Sequence, residues 1–227
     1  MSDLDRFLAN ARGSLAQTAK VVRLGDLETR EHSIDAWSFA AARGRFVELS
    51  ARGATATLTA ATELVVEAQL QGEPVAWLAP WSSTFYPPDV AASGVDLAAL
   101  VVIRVGDALG AARSAERLLR SGAFGLVILE LGSQDAELAM AVQGRLVTLA
   151  QTHDAAVVCL TEKSAETASL GSLISLRTEA TRLRDEVVLR VIKDKRRGPG
   201  AMRTIKRGGP AGLLYDEAAK IKLVTDE

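Results

Sequence analysis

The sequence predicts an α/β protein with a mostly parallel sheet flanked by helices, antiparallel C-terminal strands, and an N-terminal helix–strand arm. Three observations carry this expectation. Short continuous apolar runs such as "GLVILEL" alternate with longer amphipathic segments between Gly44 and Thr161, the pattern of strands covered on both faces by helices covered on one. Beyond Thr161 the text "SLISLRTEATRLRDEVVLRVIKDKRRGPGAMRTIKR" alternates apolar with polar or charged residues, which predicts two or three antiparallel strands extending one edge. Ahead of Gly44, apolar residues recur at helical spacing at Leu4, Phe7, Leu8, Ala11, Leu15 and Ala19, and "KVVRLGD" then reads as a strand ended by glycine.

The chain has 227 residues, 48% hydrophobic and 24% charged, enough for one domain with a sizeable core. The expected division is an arm over 1–26, a linker over 27–43 and a core over 44–227. Strands are expected at Phe46–Leu49, Val75–Ala79, Ala99–Val105, Gly125–Leu131 and Ala155–Thr161, and helices at Thr57–Gln71, Asp107–Ser121 and Gln134–His153. The linker, with "IDAWSF", carries no assignable element. In such a sheet ligands bind at the carboxyl ends of the strands.

The formal net charge of −1 hides a local imbalance. Seven cations (Lys193, Lys195, Arg196, Arg197, Arg203, Lys206 and Arg207) stand against Asp194 alone, a local +6 that leaves −7 for the remainder. This basic segment has two readings: a salt-dependent contact with DNA or an acidic partner, or a solvated face that protects an edge strand. Few aromatics accompany it, so base stacking is poorly supported. The N-terminus "MSDLDRFLANARG" has acids where a signal peptide needs cations, and no apolar run approaches the roughly 18 residues of a membrane span. A cytoplasmic protein with no membrane partner is expected. Cys159, the only cysteine, sits in "AAVVCL" and reads as a small buried hydrophobe.

A phosphate-binding loop would fall between the strand at Phe46 and the helix at Thr57. Its chemistry needs glycines for close backbone approach, a lysine for the phosphate oxygens and a Ser/Thr hydroxyl for magnesium. Ala51, Ala56, Thr57 and Leu58 occupy those positions. All four functions are lost, so no cofactor is expected. Glu130, which ends "LVILE", stands where a magnesium-supporting acid would sit, and without lysine or hydroxyl partners it reads as a solvated strand-end acid or a relic rather than a metal ligand. His32 and Asp35 are three apart but have no positioned nucleophile. No catalytic residue and no metal ligand set emerges.

In order and spacing, "GRFVEL", the degenerate loop, "EAQLQGEPVAWL", "YPPDVAASGVDLAAL", "AERLLRSGAFGLVILE" and "VVLRVIKDKRRGPG" resemble the RecA ATPase core. "KVVRLGD" is similar to the strand of the RecA oligomerisation arm. The resemblance spans roughly Asp3 to Lys206. With the lost loop, it is nearest the ImuA family, RecA-like accessory factors of the bacterial mutagenic translesion-synthesis complex. It implies a RecA-like pseudo-ATPase core and a non-enzymatic adaptor in the DNA-damage (SOS) response. The implied partners are RecA, an inactive Y-family polymerase-like protein (ImuB-like) and an error-prone replicative-type polymerase. In RecA-like filaments the arm of one protomer docks on the core of the next, a heterologous contact. The same contact here would use Leu4, Phe7, Leu8, Leu15, Val21, Val22 and Leu24; the alternative is an arm folded back on its own core. Two further readings stay open: a SulA-like cell-division inhibitor binding a tubulin-like protein, and an atypical ATP-binding RecA paralogue. Short segments after "GLVILELG" and at "EKSAETASLGS" imply reduced DNA-binding loops.

Overall fold

The computed structural model describes residues 36–51, 56–132, 136–183 and 186–206. Its elements are α1 (Phe39–Ala42), β1 (Phe46–Ser50), α2 (Ala56–Leu70), β2 (Val75–Pro80), α3 (Pro87–Ala91), β3 (Leu100–Val105), α4 (Ala108–Ser121), β4 (Leu126–Glu130), α5 (Met140–Thr152), β5 (Ala156–Thr161), β6 (Leu176–Arg182), β7 (Glu186–Asp194) and β8 (Met202–Lys206), with a 3-10 turn at Leu97–Ala99. The strands form one sheet in the order β3-β2-β4-β5-β1-β6-β7-β8. From β3 to β6 every neighbouring pair is parallel; β7 runs antiparallel to both β6 and β8. The expected α/β class, with antiparallel strands added at one edge, is therefore present.

Alternate residues of the central strands enter opposite layers, as the two-residue period of a strand requires. Leu126 and Ile128 join Trp77 and Val158 beneath α1 and α2. Val127 and Leu129 join Ala76, Leu78, Val157 and Cys159 beneath α4 and α5. Both faces are covered, which is why β4 and β5 read as nearly continuous apolar runs and β1 as one interrupted by Glu48. Cys159 is fully buried, and burial, then the charge of Glu48, pushes its thiol well above the ordinary value. The expected inert cysteine follows, since a reactive one needs a stabilised thiolate.

Local sequence sets the helix ends. Asp107 caps α4 by accepting the Gly110 N–H at 2.6 Å, and Gly122 ends it at φ 67°, a left-handed conformation suited to glycine. Two helical expectations need correction. The helix expected from Gln134 starts at Met140, because Ala136 and Leu138 ahead of it are buried in extended chain under the α4–α5 layer. The segment around "IDAWSF" does contain an element: Ser38 caps α1, accepting from the Ala41 N–H at 3.1 Å, and Trp37 and Phe39 are buried against α2. No helix among the described residues is long and apolar enough to cross a membrane.

Candidate functional site at the carboxyl end of the sheet

The ends of β1, β2, β4 and β5 converge on the place where a nucleotide would bind in this kind of sheet. Ala51 continues β1, its N–H donating to the Thr161 carbonyl at 3.1 Å. Ala51 and Ala56 are buried, while Thr57 and Leu58 are half-buried on the first turn of α2. Buried methyl groups at the first two positions occupy space that a phosphate cradle keeps open.

Glu130 is the informative residue. It accepts hydrogen bonds from Trp77 Nε1 at 3.2 Å and from Ser83 Oγ at 2.8 Å. The Trp77 ring stacks on Phe85, with centroids 4.0 Å apart and planes 3° from parallel. Ser83 Oγ also accepts from the Phe85 N–H at 2.9 Å, and Arg104 on β3 donates to the Pro80 and Phe85 carbonyls at 3.3 and 2.7 Å. The expectation of a solvated strand-end acid is thus corrected: Glu130 is half-buried and ties the β2–α3 loop to the sheet. Both of its partners are neutral donors from that loop and from β2, and neither position carried a signal in the sequence. Trp81 and Tyr86, flanking this closed end, are 76% and 60% exposed.

Beside it lies a cleft of about 690 Å³ over the outer face of α2, walled by the 84–93 segment and β8, with Glu63, Val66, Tyr86 and Arg203 in its lining. Arg203 donates to Glu63 at 3.0 Å, to Glu67 at 3.1 Å and to the Trp37 carbonyl. Burial, with the charge of Glu67, holds the Glu63 carboxyl above its ordinary value despite the opposing Arg203.

The six described cations of the basic segment do not form one surface. Lys193 is the penultimate residue of β7, and Lys195, Arg196 and Arg197 lie in the β7–β8 turn at the amino end of the parallel strands. Lys195 Nζ donates to the Ser172 carbonyl at 2.7 Å, and burial, then the charge of Lys195, lowers the Lys193 ammonium. Arg203 is committed to α2, and Lys206 lines the cleft from β8. Arg207, the arm residues Leu4, Phe7, Leu8, Leu15, Val21, Val22 and Leu24, and His32 and Asp35 lie outside the described residues.

Two buried ion pairs went unread in the sequence. Glu48 on β1 accepts from Thr161 Oγ1 and the Leu170 N–H, each at 2.9 Å, and faces Arg177 at 3.6 Å. Arg177 also donates to the Ser164 and Thr167 carbonyls at 2.7 and 2.6 Å, which holds the 164–170 segment across β1. At the amino end Arg45 meets Asp194 at 2.6 Å with both side chains buried. The only available signal was an isolated charge inside an apolar run, as in "FVEL".

Among the described residues no group of three His, Cys, Asp or Glu side chains is placed to hold a metal ion. Among the described residues Thr57 stands where the loop lysine would, and the strand-end acid Glu130 is engaged by an indole and a hydroxyl. Beside these contacts stand two exposed aromatic side chains, Trp81 and Tyr86. No family model matches the chain, and no curated protein matches it.

Proposed function

We propose that this chain is a non-enzymatic adaptor of the ImuA type, with a RecA-like fold and a degenerate ATP site, acting in DNA-damage-induced translesion synthesis. It docks on RecA through its arm and recruits an inactive Y-family polymerase-like protein, with an error-prone replicative-type polymerase as a further partner. The observation that carries the reading is the stacked pair of Trp77 and Phe85 with Glu130 bonded across it. A sheet that retains its layers while the end suited to phosphate chemistry is filled with aromatic side chains supports a binding role over phosphoryl transfer, which depends on positioned charge. Trp81 and Tyr86 stand outward beside that end, and exposed Trp and Tyr are the residue types that anchor protein interfaces.

The test is binding of the full chain to RecA filaments, with and without ATP, beside a Leu8→Asp/Val22→Asp variant. Arm-mediated docking predicts a loss of at least about tenfold in affinity, or roughly 1.4 kcal/mol, with the melting temperature unchanged. A variant that melts like the parent and binds RecA equally well would sink the docking mode. Co-purification with a tubulin-like division protein in place of RecA would favour the SulA-like reading.

A further inference from the structure

The outer face of α4 carries a second cationic feature, remote in sequence from the basic segment. Arg113, Arg117 and Arg120 are spaced i, i+4 and i+7 and are all exposed, which places them in one stripe about 10 Å long. The opposite side of the helix, Ala111, Ala112, Ala115 and Leu119, is buried in the core. The one acid within α4, Glu116, is bonded to Arg145 Nε of α5 at 2.8 Å. Arg145, about half exposed, adds a fourth guanidinium beside the stripe. Among the described residues none of the three stripe arginines makes an ion pair or a side-chain hydrogen bond.

Like charges at i, i+4 repel and destabilise the helix. A bound polyanion would reverse the sign of that repulsion. Guanidinium forks match phosphate oxygens bidentately. An acidic protein partner is less well matched, because protein interfaces need an apolar core with anchoring side chains. Here the only large apolar side chain of α4 exposed by more than a third is Leu109, at its first turn. The exposed aromatics Trp81 and Tyr86 belong to the β2–α3 loop, not to this helix, so bases have nothing to stack on. We propose that the α4 stripe is a binding site for the phosphate backbone of duplex nucleic acid, read without base contacts. This goes beyond the adaptor function and does not depend on it.

The experiment measures fluorescence polarisation of a labelled duplex of about 20 base pairs against the full chain, between about 50 and about 200 mM salt. The parent chain should show an affinity that falls with salt. An Arg113→Gln/Arg117→Gln/Arg120→Gln variant should weaken low-salt binding at least tenfold and flatten the slope of log K against log salt by about 2 to 3. A matched-charge control, Lys195→Gln/Arg196→Gln/Arg197→Gln, should change both less. On the unaltered chain, duplex should protect the three arginines from phenylglyoxal, read by mass spectrometry. An α4 variant that binds like the parent, or is affected no more than the turn variant, overturns the site. So does an absence of protection, or protection by an acidic peptide where duplex gives none.

Discussion

Arg45 at the amino end of the parallel sheet and Glu130 at its carboxyl end are satisfied in opposite ways. At the amino end Arg45, 4% exposed, makes four hydrogen bonds: Nε donates to Ser175 Oγ at 3.0 Å, and the two Nη groups reach the Ala41 carbonyl, the Ser175 carbonyl and Asp194. At the carboxyl end Glu130 meets no cation among the described residues and is held by an indole N–H and a hydroxyl. The first arrangement stitches α1, β1, β6 and β7 together and is intolerant of losing a partner, since a buried ion without its counter-ion is costly. The second is half-buried and replaceable. The Arg45–Asp194 pair thus lies at the end where no ligand is expected, while the strand-end acid Glu130 at the other end is held by neutral donors.

Removing one half of the amino-end pair is the harshest way to break that comparison. Arg45→Ala should cost about 3–5 kcal/mol, measured by urea unfolding at neutral pH. Most of that cost is the stranded Asp194 rather than the lost attraction. The double variant Arg45→Ala/Asp194→Ala should therefore be more stable than Arg45→Ala alone. A double variant less stable than the single one would mean that the Arg196 and Arg197 backbone bonds to Asp194 outweigh the cost of its unpaired charge.

Acid unfolding sharpens the same end with a smaller effect. Burial tends to raise the Asp194 carboxyl, but hydrogen bonds from Arg45 and from the Arg196 and Arg197 backbone, with the Arg45 charge, outweigh it and leave it below the ordinary value. A carboxyl depressed in the folded state adds stability above its unfolded pKa of about 3.9, and loses it as pH falls through the folded value. The parent should lose stability steeply below about pH 5. Asp194→Asn should be less stable at neutral pH, with a gap that narrows toward acid. A gap of constant size across that range would show that Asp194 does not titrate in the way its contacts imply.

Much of the core was legible because it is written in local pattern. The βα alternation located β1 through β5 to within a residue or so, and the switch to alternating charge located the antiparallel edge. Asp107 and Gly122 bracket α4 by chemistry that needs no tertiary knowledge. What was not legible is long-range. Glu130 meets residues 47 and 53 positions away, and Arg45 meets one 149 positions away. α1 is four residues long, below the length at which periodicity says anything. The basic segment read as one patch because seven cations are close in sequence, yet a turn and a strand carry the six described ones apart, Lys195 and Lys206 to opposite ends of the sheet, and Arg203 is spent on α2.

The smallest expected effect bears most directly on function. Glu130→Gln keeps an oxygen for the Trp77 and Ser83 donors, so only the charge component of two hydrogen bonds is lost, worth at most about 1 kcal/mol. If Glu130 acted as a magnesium-supporting acid, Mg²⁺ with ATP would raise the melting temperature of the parent, since a ligand that binds only the native state must stabilise it, and the variant would lose that increment. The closed geometry predicts no increment for either protein. An increment present in the parent and lost in Glu130→Gln would require the Trp77–Ser83–Glu130 cap to open for a nucleotide. In that case the aromatic stack would be a gate on a working pocket instead of a filling, and the adaptor reading would give way to an atypical ATP-binding one.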